Sequence, residues 1–137
     1  MVITDPVLLK GRDAVGVCRA AVQGGATMIQ VRWKDGAPAD VLELTRALVA
    51  ALPVPILVND RADIALAAGA AGAHLGWEDP PLASLRPHVP AGFLLGLSVG
   101  SAEEAEHAGG GGGGGAASAD YWSVGPCFAT PTKGDAG

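Results

Sequence analysis

The sequence predicts an α/β fold of the TIM (β/α)8 barrel kind, incomplete, with about six of the eight β/α units present in its 137 residues. Three observations predict it. Short runs that are apolar on both faces recur along the chain, and each is followed by room for a helix. That is the pattern of a parallel sheet covered by helices. Polar residues fall just after nearly every run: Asp5, Arg32, Lys34, Asn59, Asp60, residues 76–79, Ser98 and residues 130–133. In a barrel all strand C-terminal ends meet at one face, where active sites sit, whereas an open doubly wound sheet spreads them along a line. Finally, the last loop is rich in reactive side chains, so two further strand–helix units are expected beyond Gly137. The open edge after a sixth strand predicts a piece that is poorly folded or inactive alone. The alternative is an open six-stranded α/β sheet.

The elements follow in order. Residues 2–4 read as a strand, with Asp5-Pro6 as a turn. Asp13 caps a helix whose apolar positions Ala14, Val17, Cys18, Ala21 and Val22 recur at helical spacing, and Gly24-Gly25 ends it. Residues 27–31 form a strand, and residues 32–36 a charged turn. Pro38 and Asp40 start a helix with Val41, Leu44, Thr45, Leu48 and Val49 on one face, and Pro53 and Pro55 bracket its exit. Residues 56–58 form a buried strand with Asn59-Asp60-Arg61 at its end. A helix begins at Ile64 and stops at Gly69, and residues 72–75 form a fourth strand. A short helix over 82–86, a strand over 94–97, a helix over 102–107 and a strand over 121–124 complete the chain, read as one domain over 1–137.

Hydrophobic residues make up 49% of the chain and charged residues 17%, the balance of a globular protein. A net charge of −5 gives no basic stripe for nucleic acid. Two cysteines, Cys18 and Cys127, make neither a metal-ligand spacing nor a disulfide framework. No signal peptide and no membrane-length apolar run is present, so a cytoplasmic location with no membrane partner is expected. Oligomeric state is not indicated.

Three groups of residues carry chemistry. Asp60 and Asp79 follow neighbouring strands, and a carboxylate pair suits Mg2+, whose octahedron is filled by water and phosphate oxygens. The alternative is that Asp60 and Asp79 cap the third and fourth helices, a role compatible with the first. Arg32, Lys34 and Lys133 are cations that suit phosphate, or else solvated surface charge. The loop 125–133, with Thr130, Pro131, Thr132 and Lys133, offers hydroxyls and backbone N–H groups to a phosphate. His74 reads as a core or lumen histidine, His88 and His107 as exposed, and Cys127 has no histidine partner in sight.

Taken together these motifs resemble the thiamine phosphate synthase family along essentially the whole chain. Gln30-Val31-Arg32-Trp33-Lys34 is similar to the family's Gln-x-Arg-x-Lys, and Asn59-Asp60-Arg61 to its Asn-Asp-Arg. His74-Leu75-Gly76 with Asp79 is similar to His-Leu-Gly-Gln-x-Asp, and Gly96-Leu97-Ser98 to Gly-x-Ser. Asp120-Tyr121, Gly125-Pro126 and Thr130-Pro131-Thr132-Lys133 are similar to its last motif. The resemblance implies a transferase that joins a pyrimidine diphosphate to a thiazole phosphate with Mg2+. Gln30, Arg32, Lys34, Asn59, Ser98 and Lys133 would hold the pyrimidine diphosphate, within the segment 30–34 and its partners. Arg32, Lys34, Ser98 and Lys133 would serve the chemistry, Asp60 and Asp79 the metal, and Thr130 and Thr132 the thiazole phosphate. The implied reaction is dissociative: diphosphate leaves, a pyrimidine methyl cation forms, and the thiazole nitrogen captures it.

The chain departs from that pattern in places. Trp77 stands where the family usually has Gln, and the glycine run 109–115 reads as a flexible insertion. A thiazole tautomerase is the nearest rival, but its subfamily typically places a catalytic His where this chain has Gly100. A non-catalytic phosphate-binding fragment is a further alternative.

Overall fold

The structure, a computed structural model, describes residues 1–104 and 119–125. It divides into two compact units, Met1–His74 with Ala91–Leu94, and Leu75–Pro90 with Leu95–Gly137.

The first unit opens with strand β1, Val2–Ile3. Helix α1, Pro6–Leu9, follows where the sequence reading placed a turn. Asp5 makes the helix possible, because its carboxylate accepts from the Val7 and Leu8 N–H groups while Pro6 takes the first helical position. Helix α2, Ala14–Gln23, is capped by Asp13 as expected and ends at Gly24, with Gly25 at positive φ. Strand β2, Ile29–Val31, leads to helix α3, Pro38–Ala51, which buries Val41, Thr45 and Leu48. Strand β3 is Ile56–Asn59, and helix α4 is Ala62–Ala68. Helix α4 begins two residues before the expected Ile64, and Gly69 ends it in the left-handed region. Strand β4, Gly72–Leu75, is buried throughout.

All pairings in this unit are parallel. Ile3 is level with Gln30, Gln30 with Leu57, Leu57 with Gly72, and Asn59 with His74. Side chains alternate faces along a strand, so these residues share one face and Ile29, Val31, Ile56, Val58 and Ala73 the other. Helices α3 and α4 pack against β3 and each other. Both faces of β2 are buried, as a parallel sheet under helices requires.

Gly72 is demanded by a close approach. A Cβ there would overlap the Leu94 carbonyl oxygen and crowd Leu57 Cδ2 at 2.8 Å. The Leu94 N–H donates to the Ala71 carbonyl at 2.9 Å, which draws that backbone in.

The second unit holds helix α5, Leu82–Leu85, continued by a 3-10 turn over Arg86–His88. Its strands among the described residues are β5, Leu94–Val99, and β6, Tyr121–Val124, paired in parallel with Gly96 level with Tyr121 and Ser98 with Ser123. Strand β5 runs two residues past its expected end because pairing with β6 continues through Val99. Ser98 therefore lies within the strand rather than after it. The helix expected over 102–107 is described only for 102–104, and the glycine run 109–115 lies outside the described residues.

Asp120 ties this unit together. Its Oδ2 accepts from Arg86 Nη2 at 2.7 Å and from the Leu95 N–H at 2.7 Å. Burial pushes its carboxyl up, but the Arg86 bond, the Leu95 N–H and the Arg86 charge outweigh burial and hold it below the usual carboxylate value. No helix among the described residues is long and apolar enough to cross a membrane.

Two outcomes follow from these contacts. Gly72→Ala should lower unfolding free energy by about 2 kcal/mol or more, since a methyl cannot enter without moving backbone; urea denaturation measures it. Asp120 has a depressed folded pKa, so its contribution is complete above the unfolded value of about 3.9 and is lost as pH falls through the lower folded value. The stability difference between the wild-type chain and Asp120→Asn should therefore be constant from about pH 5 to 7 and shrink below about pH 4. Denaturation across that range checks it, and a difference independent of pH contradicts the assignment.

Candidate functional site

Within the first unit, the exits of β1, β2 and β3 carry the polar residues singled out above. Gln30 sits inside β2 and is 2% exposed, and its Nε2 donates to Met1 Sδ at 3.8 Å. Arg32 follows β2 directly. Its backbone N–H donates to Thr4 Oγ1 at 3.1 Å, and its Nη1 lies 3.7 Å from Asp5 Oδ2. Asn59 ends β3, level with His74 on the same face. His74 is 5% exposed, as the core or lumen reading expected. Among the described residues no buried side-chain nitrogen or oxygen lacks a hydrogen-bond partner.

Asp60 is set by the backbone. Among the described residues it is one of two non-glycine residues at positive φ, at 62°, and its N–H donates to the His74 carbonyl at 2.8 Å. The left-handed region is costly for a residue with a Cβ, though least so for Asp and Asn. The N-cap position of α4 is held by Arg61, which makes no side-chain cap bond, and not by Asp60.

A pocket of about 130 Å3 opens beside these residues. Val31, Val41 and Ile64 give it an apolar lining, and Trp33, Lys34, Asn59, Asp60 and Arg61 complete it. Trp33 lies over Gly36, where a Cβ would come within 2.7 Å of the indole. Arg61 pairs with Asp63 through bonds of 2.8 and 2.6 Å. That bond, more than the Arg61 charge, holds the Asp63 carboxyl below its usual value against the opposing effect of burial. The structure thus brings Lys34, Trp33, Asn59 and Asp60 around one cavity, with Val31 in its wall; Gln30, on the opposite face of β2 from Val31, and Arg32, just after β2, are not among its lining residues.

In the second unit, Asp79 follows β4. Its Oδ2 accepts from the Gly76 N–H at 2.6 Å, closing the turn that carries Trp77, which is 51% exposed. It does not cap α5, whose N-cap is Pro81 without a side-chain bond. Ser98 lies in β5 of the same unit. Gly100 N–H donates to Glu104 Oε2 at 2.6 Å, and the Glu104 N–H to Ser101 Oγ at 3.1 Å, a reciprocal cap that the sequence reading missed. Thr130, Pro131, Thr132 and Lys133, together with Cys127 and His107, lie outside the described residues.

Sequence reasoning also missed Thr4 and Asp5 as partners of Arg32. The Asp5-Pro6 step, a cap followed by Pro at the first helical position, was the available signal for α1. Nothing in the linear pattern joins Asp5 to a residue 27 positions on. Cys18 is 1% exposed, and burial first, then Asp13, pushes its thiol up, which suits packing rather than reaction. Among the described residues no group of three or more His, Cys, Asp or Glu is arranged to hold a metal ion.

Comparison with known proteins converges on one family. The family described as thiamine monophosphate synthase matches residues 1–137. The thiamine-phosphate synthase of Syntrophomonas wolfei subsp. wolfei is 42% identical over 137 residues, covering 98% of this chain and 63% of that protein. That of Methanoculleus marisnigri is 42% identical over 139 residues, covering 99% of this chain and 63% of that protein. The chain thus spans about 63% of the length of these curated relatives. A solved structure, thiamine phosphate pyrophosphorylase from Pyrococcus furiosus, superposes with a TM-score of 0.78 at 35% identity, over 93% of this chain and 59% of that one. The expected fold class, α/β with six parallel strands of an incomplete TIM barrel, is borne out by that likeness. On the strength of these matches, this chain belongs to the thiamine monophosphate synthase family.

Proposed function

We propose that this chain carries the pyrimidine-diphosphate-binding and ionising part of a thiamine phosphate synthase. The single observation that supports it most is the clustering of Lys34, Asn59 and Asp60 around one pocket, with Arg32 at the adjoining strand exit. This is a concave site that sets Lys34 and the Asn59 amide together in a chain of net charge −5. The relatives are thiamine-phosphate synthases by name, which supports the same reading.

In this reading Arg32 and Lys34 take up charge that grows on the diphosphate as it leaves. Arg32 does so with a planar fork and Lys34 with a point charge. Gln30 and Asn59, on the same face of adjacent strands, orient the aminopyrimidine by hydrogen bonds. The buried position of Gln30 suits this, because a buried amide discriminates strongly against a group that fails to pair with it. Ser98 and Lys133 belong to the same set by the family motif, and Thr130, Pro131 and Thr132 to the thiazole phosphate. No acid–base dyad is needed for a dissociative substitution, since the bond breaks by ionisation and the incoming nitrogen already carries its lone pair.

Mg2+ is the implied metal, with Asp60 and Asp79 as its ligands. Both are hard oxygen donors that follow neighbouring strands, the ligand type Mg2+ takes. Asp79 keeps acceptor capacity beyond the Gly76 bond, because an ionised carboxylate offers about four lone-pair sites. The metal would offset negative charge on the diphosphate.

Incubating the chain with pyrimidine diphosphate, thiazole phosphate and Mg2+ tests the reading. Mg2+-dependent binding of the pyrimidine diphosphate, and condensation on adding the thiazole phosphate, are expected. Isomerisation of a thiazole, or no binding, overturns it. Asp60→Ala should reduce the Mg2+-dependent step by about a hundred-fold or more; full activity of that variant at low Mg2+ would sink the metal assignment. Asp79→Asn should raise the Mg2+ requirement yet leave the Gly76 turn intact. Asp79→Ala should in addition speed hydrogen exchange at the Gly76 amide by about ten-fold, as expected for losing a charge-assisted bond.

A further inference from the structure

Arg32 is gripped twice by the exit of β1. Its backbone N–H donates to Thr4 Oγ1 at 3.1 Å, and Thr4 is 5% exposed and held in turn by its own N–H on the Gln30 carbonyl at 2.9 Å. Its guanidinium faces Asp5, whose two carboxylate oxygens are divided between two tasks. Oδ1 accepts from the Val7 and Leu8 N–H groups at 2.8 and 3.1 Å and so caps α1. Oδ2 is thereby turned toward Arg32 Nη1, 3.7 Å away. The far end of α1 is pinned as well, by Arg12 donating to the Leu8 and Leu9 carbonyls at 2.9 Å. The cap fixes the Asp5 rotamer, and the fixed Asp5 limits where the guanidinium can point.

We infer that the Thr4-Asp5 step is a positioning device for Arg32, with Asp5 as a positioning residue that sets the guanidinium for the leaving diphosphate. The inference rests on the reading of Arg32 as a diphosphate ligand. A separation of 3.7 Å is an ion pair rather than a hydrogen bond. The side chains of Arg32 and Asp5 are 23% and 30% exposed, so the contact contributes little to stability. Its consequence is orientation. A long arginine side chain loses rotamer freedom when an anion binds, and holding it beforehand reduces that loss.

Two effects of removing Asp5 oppose each other, and this makes the test decisive. Loss of a carboxylate raises the local positive potential, which alone tightens anion binding. Loss of orientation weakens it. Asp5→Asn retains an oxygen to cap α1 and removes only the charge facing Arg32. Inorganic diphosphate, titrated calorimetrically into the chain, is the probe. Asp5→Asn should bind it about three- to five-fold more weakly, the scale of a partly exposed ion pair. In an Arg32→Gln background the same change should have no weakening effect. Unchanged or tighter binding in Asp5→Asn, or equal weakening in the Arg32→Gln background, overturns the inference.

A second measurement is independent of any ligand. The Arg32 side-chain Nε–H resonance, assigned by its loss in Arg32→Gln, should show restricted motion in the wild-type chain and free nanosecond motion in Asp5→Asn. Equal mobility in both overturns the inference, whatever the chain binds. If the wild-type chain takes no diphosphate but the resonance behaves as expected, the fault lies in the assignment of Arg32 as a diphosphate ligand and not in its orientation by Asp5.

Discussion

Parallel pairing of short strands with both faces buried is the constraint on which the rest depends. Each strand in a parallel pair must be entered from the same end, so every exit within the first unit lies at one edge. There Asp5, Arg32 and Asn59-Asp60 leave β1, β2 and β3. The register then fixes which side chains are neighbours, as with Asn59 and His74. A slip of one residue would turn Gln30 toward the helices and Val31 away from them. The core of Ile29, Val58, Leu48 and Ala65 holds that register, since each is at most 1% exposed.

The site occupies the boundary where this order ends. Beyond β3 the chain must leave the sheet and enter α4 within two residues. Asp60 absorbs the turn at positive φ. Its N–H is tied to the His74 carbonyl, which fixes the backbone of the turn. The short helix α1 works in the same manner on a neighbouring exit, where its cap also decides how Asp5 meets Arg32.

Glycine at two positions reflects crowding rather than looseness. Gly72 admits the backbone at Leu94, and Gly36 admits the Trp33 ring. The first lets two backbone segments approach closely, and the second lets an indole form one wall of the pocket. Packing and site are thus coupled through residues that offer no functional group of their own.

Much of this was present in the linear pattern. The alternation of apolar runs and helices, the Asp13 cap, the stop at Gly69 and the strand at Gly72–Leu75 follow from local rules of periodicity and capping. So does the placement of polar residues after strands, and the ordered motifs carried the family resemblance. Tertiary structure decided what depends on contacts between distant segments. It extended β5 through Ser98 by pairing with β6, made Asp5 both cap and partner of Arg32, and put Arg61 and Pro81, not Asp60 and Asp79, at the N-cap positions of α4 and α5. Local sequence encodes the free energy of a helix end or a strand run. It does not encode which of two oxygens on one carboxylate meets a guanidinium 27 residues away, because that is set only when β1 and β2 come into register.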